Sequence, residues 1–449
     1  MSRDGCASPA RRRGRHALAV AVLVGMPVVV TLYRRVLSTA QSPSWPPSPG
    51  VVTSAGAQAA TQSYGARHRP PAHEALEFAW STAATIEPWA EGVNFFPRIF
   101  ADIEAASSSV HILMFGWREG EVGTQMAALL KRKLADGVEV RVIVDRFGSR
   151  PYAAAREMFA GLAAAGAEIV VSDFSPLCRY GLFPDRQRFA WRGGEFGRVD
   201  HRKLYVVDGA VGWIGGAGLE DHFRNGGFHD LMVRVTGDVV RQTQAAFLTS
   251  FHGRGGSLPI DLSRLFPEQA EPGTIPVALT EVMPGGFGAA TQAIREQIDA
   301  SRDRLDIMNA YATDPDMIRR IIAAARRGVH VRVVVSETSN NRQATAALRH
   351  RYGDMIAAGV DIWELPGTVV HAKVVVADDV VSFGTVNLDA WALYRNWEIM
   401  MTARSATVAE LLEGRLFDPD IARAKRGNPP SASRERFESW LWNKLSFFL

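Results

Sequence analysis

One order of elements is written twice along this chain. In the first copy residues 110–114 read as a strand, 124–134 as a helix, 137–144 as a buried strand, and 165–170 open another. In the second, 305–308 form the strand, 315–326 the helix with Asp314 as N-cap and Pro315 at its first position, and 328–335 and 358–363 the strands that follow. Strand, helix, strand, given twice, predicts an α/β architecture of two similar βαβ-containing halves. The expected divisions are a basic tail with an apolar segment at 1–40, a Pro/Ser/Ala linker at 41–75, halves at 76–252 and 277–428, a Gly/Pro-rich connector at 253–276, and an aromatic tail at 429–449.

Each half also carries the same polar motif. His201-Arg202-Lys203-Leu204-Tyr205-Val206-Val207-Asp208 is matched by His371-Ala372-Lys373-Val374-Val375-Val376-Ala377-Asp378. On a strand, a spacing of two puts imidazole and ammonium on one face. Cleavage of a phosphodiester requires that pairing: a nucleophile or acid beside a fixed positive charge for the nonbridging oxygens. Lysine is scarce here, six against 45 arginines, yet two of the six stand in these motifs. A two-residue turn at Asp208-Gly209 would return Gly216 opposite His201, and one at Asp378-Asp379 would bring Val386, between Thr385 and Asn387, beside His371. Gly215-Gly216 and Gly384-Thr385 are therefore expected to line the pocket, with backbone N–H groups toward phosphate oxygens.

Charge narrows the substrate. The formal charge is +4, but residues 1–35 hold seven Arg and one Asp, leaving about −2 on the remainder. A nucleic-acid binder would spread basic charge over its folded body, so no nucleic-acid partner is expected. Cys6 and Cys178 give no disulfide framework. Residues 17–33 are apolar and uncharged, flanked by Arg11, Arg12, Arg13 and Arg15 before and Arg34 and Arg35 after. At ~1.5 Å per residue they span roughly 25 Å, read as a single N-terminal membrane anchor, with export after signal cleavage as the alternative. Four arginines before the span against two after it orient the body outward.

These residues resemble the duplicated motif of the phospholipase D superfamily. Gly215-Gly216, Leu219, His229-Asp230, Val386-Asn387-Leu388-Asp389 and Asn396-Trp397-Glu398 are most similar to bacterial cardiolipin synthases, over about residues 93–425. The resemblance implies a pseudo-two-fold phospholipase D fold with one shared active site, no metal or other cofactor, and a covalent phosphohistidine. It implies that His201 and His371 are nucleophile and general acid/base, with His201 favoured as nucleophile, and that Lys203 and Lys373 clamp the phosphate. It also implies that an acid 25–30 residues after each histidine orients that histidine, the positions held by Asp230 and Glu398. Asp208 and Asp378, though within the motif, become chiefly turn or network residues. The first motif departs from the pattern with Gly218 where Asn is usual and Gly216 where Ser is general. In the second, Trp391 and Ala392 replace Arg and Ser.

The expected function is phosphatidyl transfer of the cardiolipin synthase type on phospholipids, phosphatidylglycerol foremost, at a membrane surface. A phospholipase D hydrolase, a nuclease and a lipid-binding pseudoenzyme are the alternatives. A zinc site from His201, His222, His229 and Asp230 matches no compact ligand spacing. Residues 172–200, absent from the second half, carry Phe174, Tyr180, Phe183, Phe189, Trp191 and Phe196 and read as a surface loop or a flap for acyl chains.

Overall fold

The computed structural model describes residues 79–149, 153–172, 198–284 and 288–446. The apolar segment, the linker and all but the ends of the aromatic insertion lie outside these residues. Among the described residues no helix is long and apolar enough to cross a membrane.

The first half supplies β1 (Trp80–Ala83), β2 (Thr85–Ala90), β3 (Ser109–Met114), β4 (Glu139–Asp145), β5 (Glu168–Ser172), β6 (Lys203–Val207), β7 (Val211–Gly215), β8 (Phe228–His229) and β9 (Leu231–Thr236). The second supplies β10 (Ile275–Val282), β11 (Arg304–Met308), β12 (His330–Ser336), β13 (Val360–Leu365), β14 (Val369–Val370), β15 (Val374–Ala377), β16 (Val380–Gly384), β17 (Glu398–Arg404) and β18 (Lys425–Arg426). One sheet runs β2-β9-β7-β6-β3-β4-β5, and the inner seven strands of the other, β10-β17-β16-β15-β11-β12-β13, repeat that order strand for strand. The nine-stranded sheet is completed by β18 at one edge and at the other by β1, antiparallel to β10. The segment assigned to the first half from residue 76 thus begins in the second half's sheet and enters its own only at β2.

Parallel pairs β3-β4 and β11-β12 arise because helices Glu121–Ala135 and Pro315–Arg326 carry the chain back across each sheet. The second of these starts where expected: the N–H groups of Asp316 and Met317 donate to Asp314 Oδ1 at 2.9 and 3.0 Å.

Alternation along the motif strands divides the core into layers. Leu204 and Val206 face a central cluster, with Tyr205 and Val207 facing the outer helices of the first half. Val374 and Val376 join the same central cluster while Val375 and Ala377 face the second half's helices. The two sheets therefore meet face to face over one shared core. With each buried aliphatic side chain contributing about 1.5–3 kcal/mol, this core holds the halves together.

The hairpins differ. In the second half Ala377 pairs with Val380, as a two-residue turn at Asp378-Asp379 requires. In the first, Val207 pairs with Val211 and Ala210 is an extra residue, its N–H closing the turn on Val207 O at 3.0 Å. That residue shifts the return strand by one, and Gly216 does not stand opposite His201. At the C-terminus, helix Ser433–Lys444 packs on helix Arg342–Arg349, where Asn443 Nδ2 donates to Ala347 O at 3.3 Å. Phe437 and Trp440 of this helix are exposed.

Candidate active site

Each histidine stands on the extended segment leading into its motif strand, and that segment is bonded to the opposite half. Ahead of the second motif, β14 pairs in parallel with β8 of the first half, and His229 O accepts from His371 N at 2.7 Å and from Ala372 N at 3.2 Å. Ahead of the first, Asp200 pairs with Trp397 of the second half, and His201 N donates to Trp397 O at 2.9 Å. The acids at Asp230 and Glu398 follow directly on these partner segments.

The pairing of histidine with acid is therefore crossed. His201 Nδ1 lies 3.0 Å from Glu398 Oε2, and His371 Nδ1 lies 2.7 Å from Asp230 Oδ2. This corrects the expectation that each acid orients the histidine of its own motif; sequence spacing carries no information about which half a strand end meets. Both acids are fully buried.

Their surroundings differ. Leu231 N donates to Asp230 Oδ1 at 2.7 Å, and a Cβ on Gly216 would come within 2.5 Å of that oxygen, so the glycine makes the space the carboxylate occupies. Glu398 instead accepts from Thr385 Oγ1 at 2.6 Å and from Asn396 Nδ2 at 3.4 Å.

Lys203 Nζ donates to His201 O at 2.6 Å, and Lys373 Nζ to His371 O, with His371 Nδ1 at 2.9 Å. Burial lowers Lys203 to about 8 and, with the repulsion of Lys203, Lys373 to about 7. Burial and both ammonium groups push His201 well below its ordinary value and His371 to about 3. Each lysine thus acts on both imidazoles, which places the two motifs in one site. Burial pushes Glu398 up to about 8. Burial pushes Asp230 up as well, but His371 and Lys373 outweigh it and hold the carboxyl below the usual range.

Rings complete the walls. Phe115 lies edge-on to His201 with centroids 4.7 Å apart, and Phe223 and Phe228 flank His371 at 5.3 and 5.4 Å.

Other expected site residues fall elsewhere. Asp208 and Asp378 sit beyond the far ends of β6 and β15, on the order of 20 Å from the histidines at about 3.3 Å per residue. Asp208 accepts from the N–H groups of Ser107, Ser108 and Ser109 and two serine hydroxyls, and Asp378 from the N–H groups of Arg302, Asp303 and Arg304. They fasten turns and leave the chemistry to others. Nor do the backbone N–H groups face a ligand: Gly216 N donates to Leu231 O and Thr385 N to Ile399 O. Gly215 is required because a Cβ would meet Leu231 O at 2.1 Å. Asn387 is buried, and among the described residues its Oδ1 has no hydrogen-bond partner. Among the described residues no His, Cys, Asp and Glu cluster could hold a metal ion. His229 is engaged otherwise, between Glu91 Oε1 at 2.5 Å and Asp420 Oδ2 at 2.7 Å.

The first motif also has a support beyond the shared His-x-Lys pattern. Arg202, fully buried, donates from Nε and Nη2 to Asp200 at 2.8 Å each and from Nη1 to Glu281 at 2.6 Å, lying 5.2 Å from the Trp397 ring. Arg254 Nη2 adds a bond to Asp200 at 2.7 Å. The neighbouring acid and arginine in Asp200-His201-Arg202 were the signal. Val370 and Ala372, their counterparts, are buried and apolar.

The family described as "Cardiolipin synthase, PLD-like domain" matches residues 99–247 and 294–418. A probable cardiolipin synthase of Bacillus subtilis (strain 168) is 27% identical over 357 residues, covering 78% of this chain and 68% of its own. A cardiolipin synthase of Geobacillus kaustophilus (strain HTA426) is 26% identical over 323 residues, covering 69% of this chain and 60% of its own, so the chain spans less than two thirds of that relative. The crystal structure of phosphatidylserine synthase from Haemophilus influenzae Rd KW20 matches 84% of this chain and 98% of its own with a TM-score of 0.64 at 13% identity, a likeness of fold.

Proposed function

The chain belongs to the family of cardiolipin synthase, PLD-like domains, and from that premise we propose that it transfers a phosphatidyl group from one phospholipid to a headgroup hydroxyl of another. The observation that carries this reading is the crossed pair of histidine–acid couples, in which both acids, His371 and the two lysines are buried and the His201 side chain is 12% exposed. His201 attacks phosphorus; the bond to the donor's headgroup oxygen breaks, and His371 supplies the proton that oxygen takes up. An acceptor hydroxyl then attacks the phosphohistidine, its proton passing to His371 as the P–N bond breaks. The low-lying Asp230 favours this assignment, since an ionised carboxylate stabilises His371 in its protonated state. Lys203 and Lys373 bind the nonbridging oxygens, and the phosphate's negative charge in turn offsets the field that keeps the imidazoles neutral.

The relatives' names point to cardiolipin as product, hence to phosphatidylglycerol as donor and acceptor. The site works at a bilayer surface, to which residues 17–33 anchor the body as an N-terminal membrane segment, or from which they direct export. Incubation with phosphatidylglycerol vesicles, and separately with DNA, tests the assignment. Cardiolipin with an equivalent of glycerol is the expected outcome. Phosphatidic acid alone would make the protein a hydrolase, nicked DNA a nuclease, and tight vesicle binding without product a lipid-binding pseudoenzyme.

A further inference from the structure

The two half-sites diverge most where the return strands leave the sheets. β16 leads into Val386-Asn387-Leu388-Asp389, and β7 into Ala217-Gly218-Leu219-Glu220. Asp389 turns onto backbone, accepting from Trp391 N at 2.9 Å and Ala392 N at 2.8 Å to cap its helix. Glu220 makes no such cap. Its carboxylate lies where a side chain at Gly218 would go: a Cβ there would meet Glu220 Oε2 at 3.0 Å and Gly116 O at 2.7 Å, and a Cβ on Gly116 would meet the same carboxylate oxygen at 2.5 Å. The first half has therefore exchanged an amide for a carboxylate reaching back from two residues on.

That carboxylate belongs to the pocket. Its side chain is only 12% exposed, its charge acts on the Lys203 ammonium, and Gly116 against it adjoins Phe115, the ring on His201. Arg118 Nε pairs with it at 2.7 Å, and His222 Nε2 stands at 3.8 Å. A carboxylate repels phosphate and can only accept hydrogen bonds. With Arg118 balancing its charge, it offers no net attraction to an ammonium either. The neutral pair of one acceptor and one donor suits vicinal hydroxyls, which both donate and accept.

Resting on the phosphatidyl-transfer reading above, we infer that Glu220 and Arg118 form an acceptor subsite for a polyol headgroup, holding one hydroxyl so that its neighbour attacks the phosphohistidine. The attacking oxygen gives its proton to His371 and forms the new P–O bond as the bond to His201 breaks. Glu220 takes no proton and acts by positioning. A site that holds a diol discriminates against an alcohol lacking the second hydroxyl, because the carboxylate, 12% exposed beside a half-exposed Arg118, would be covered without the second hydroxyl it accepts from.

The test supplies phosphatidyl-p-nitrophenol in mixed micelles with glycerol, propan-1-ol and ethanolamine at equal concentration. Released p-nitrophenol reports donor cleavage, and the product ratio reports acceptor choice. Ratios within one preparation do not change with the fraction of folded enzyme. Glu220→Ala should lower the glycerol-to-propanol product ratio by about tenfold and Glu220→Gln by about threefold. Arg118→Ala should raise ethanolamine product relative to glycerol by about fivefold, since it frees the carboxylate for an ammonium. An unchanged glycerol-to-propanol ratio in Glu220→Ala would overturn the subsite. Should that variant yield no product, an unchanged ratio in Glu220→Gln, or loss of all product in the three variants alike, would do the same. A wild-type protein that releases no p-nitrophenol would instead refute phosphatidyl transfer itself.

Discussion

Around His371 the supporting acid is an aspartate with a glycine behind it; around His201 it is a glutamate with a threonine and an asparagine. The two couples are related by the same pseudo-symmetry and hold their imidazoles at similar distances, 2.7 and 3.0 Å. Their charge states diverge. Asp230 is held low by His371 and Lys373, whereas burial lifts Glu398 to about 8. A duplicated scaffold has thus been tuned into two different tools. An ionised partner favours a histidine that must carry a proton; a partner that ionises only near pH 8 holds its histidine's proton on Nδ1, with Nε2 free to attack, only above that pH.

Removing each acid's charge exposes that difference most strongly. Asp230→Asn should lower kcat by roughly 10³ throughout the range from pH 6 to 9, because it deletes a charge present across that range. Glu398→Gln should cost only about tenfold at pH 6 to 7, where the wild-type carboxyl is largely protonated. Above its value of about 8, Glu398 ionises and fixes the proton on His201 Nδ1, leaving Nε2 free to attack. With the bound phosphate's negative charge keeping the Lys203 and Lys373 ammonium groups protonated, the wild-type rate should therefore rise through about pH 8, and that rise should vanish in Glu398→Gln. Equal, pH-independent losses in the two variants would erase the distinction.

The residues behind the acids come next. Gly216→Ala places a Cβ against Asp230 Oδ1 and should cut kcat by about a hundredfold, with KM nearly unchanged, as the carboxylate is displaced from His371. Thr385→Ala removes one hydrogen bond to Glu398 and should cost about tenfold or less.

The smallest effect belongs to the motif aspartates. Asp208→Asn and Asp378→Asn should each lower stability by about 1–2 kcal/mol in denaturant titration while kcat stays within about twofold. A loss of kcat on the scale of Asp230→Asn would return them to the chemistry.

Much of this was legible in the residues. Alternating apolar positions on β6 and β15, Asp314-Pro315 at a helix start and the repeated His-x-Lys string specify elements and their order, since each is a local rule. The crossed acids were not, because Asp230 and Glu398 meet a histidine only through β8, β14 and the Asp200–Trp397 bridge, contacts between distant segments. The extra residue at Ala210 escaped for a related reason: Asp208-Gly209 is a sound two-residue turn signal, and only the register of β7 against β6 shows the shift. Glu220 was hidden because its place in the pocket depends on what Gly116 and Gly218 lack.

One measurement bears on the whole scheme: rapid quenching of the enzyme with radiolabelled phosphatidyl-p-nitrophenol, followed by mapping of the labelled peptide. This leaving group departs without a proton, so the first step does not require His371. The label should sit on His201, be absent from His201→Ala, and accumulate in His371→Ala, where no base activates the acceptor. Label on His371, or turnover without any covalent intermediate in these variants, would contradict the division of labour between the two halves.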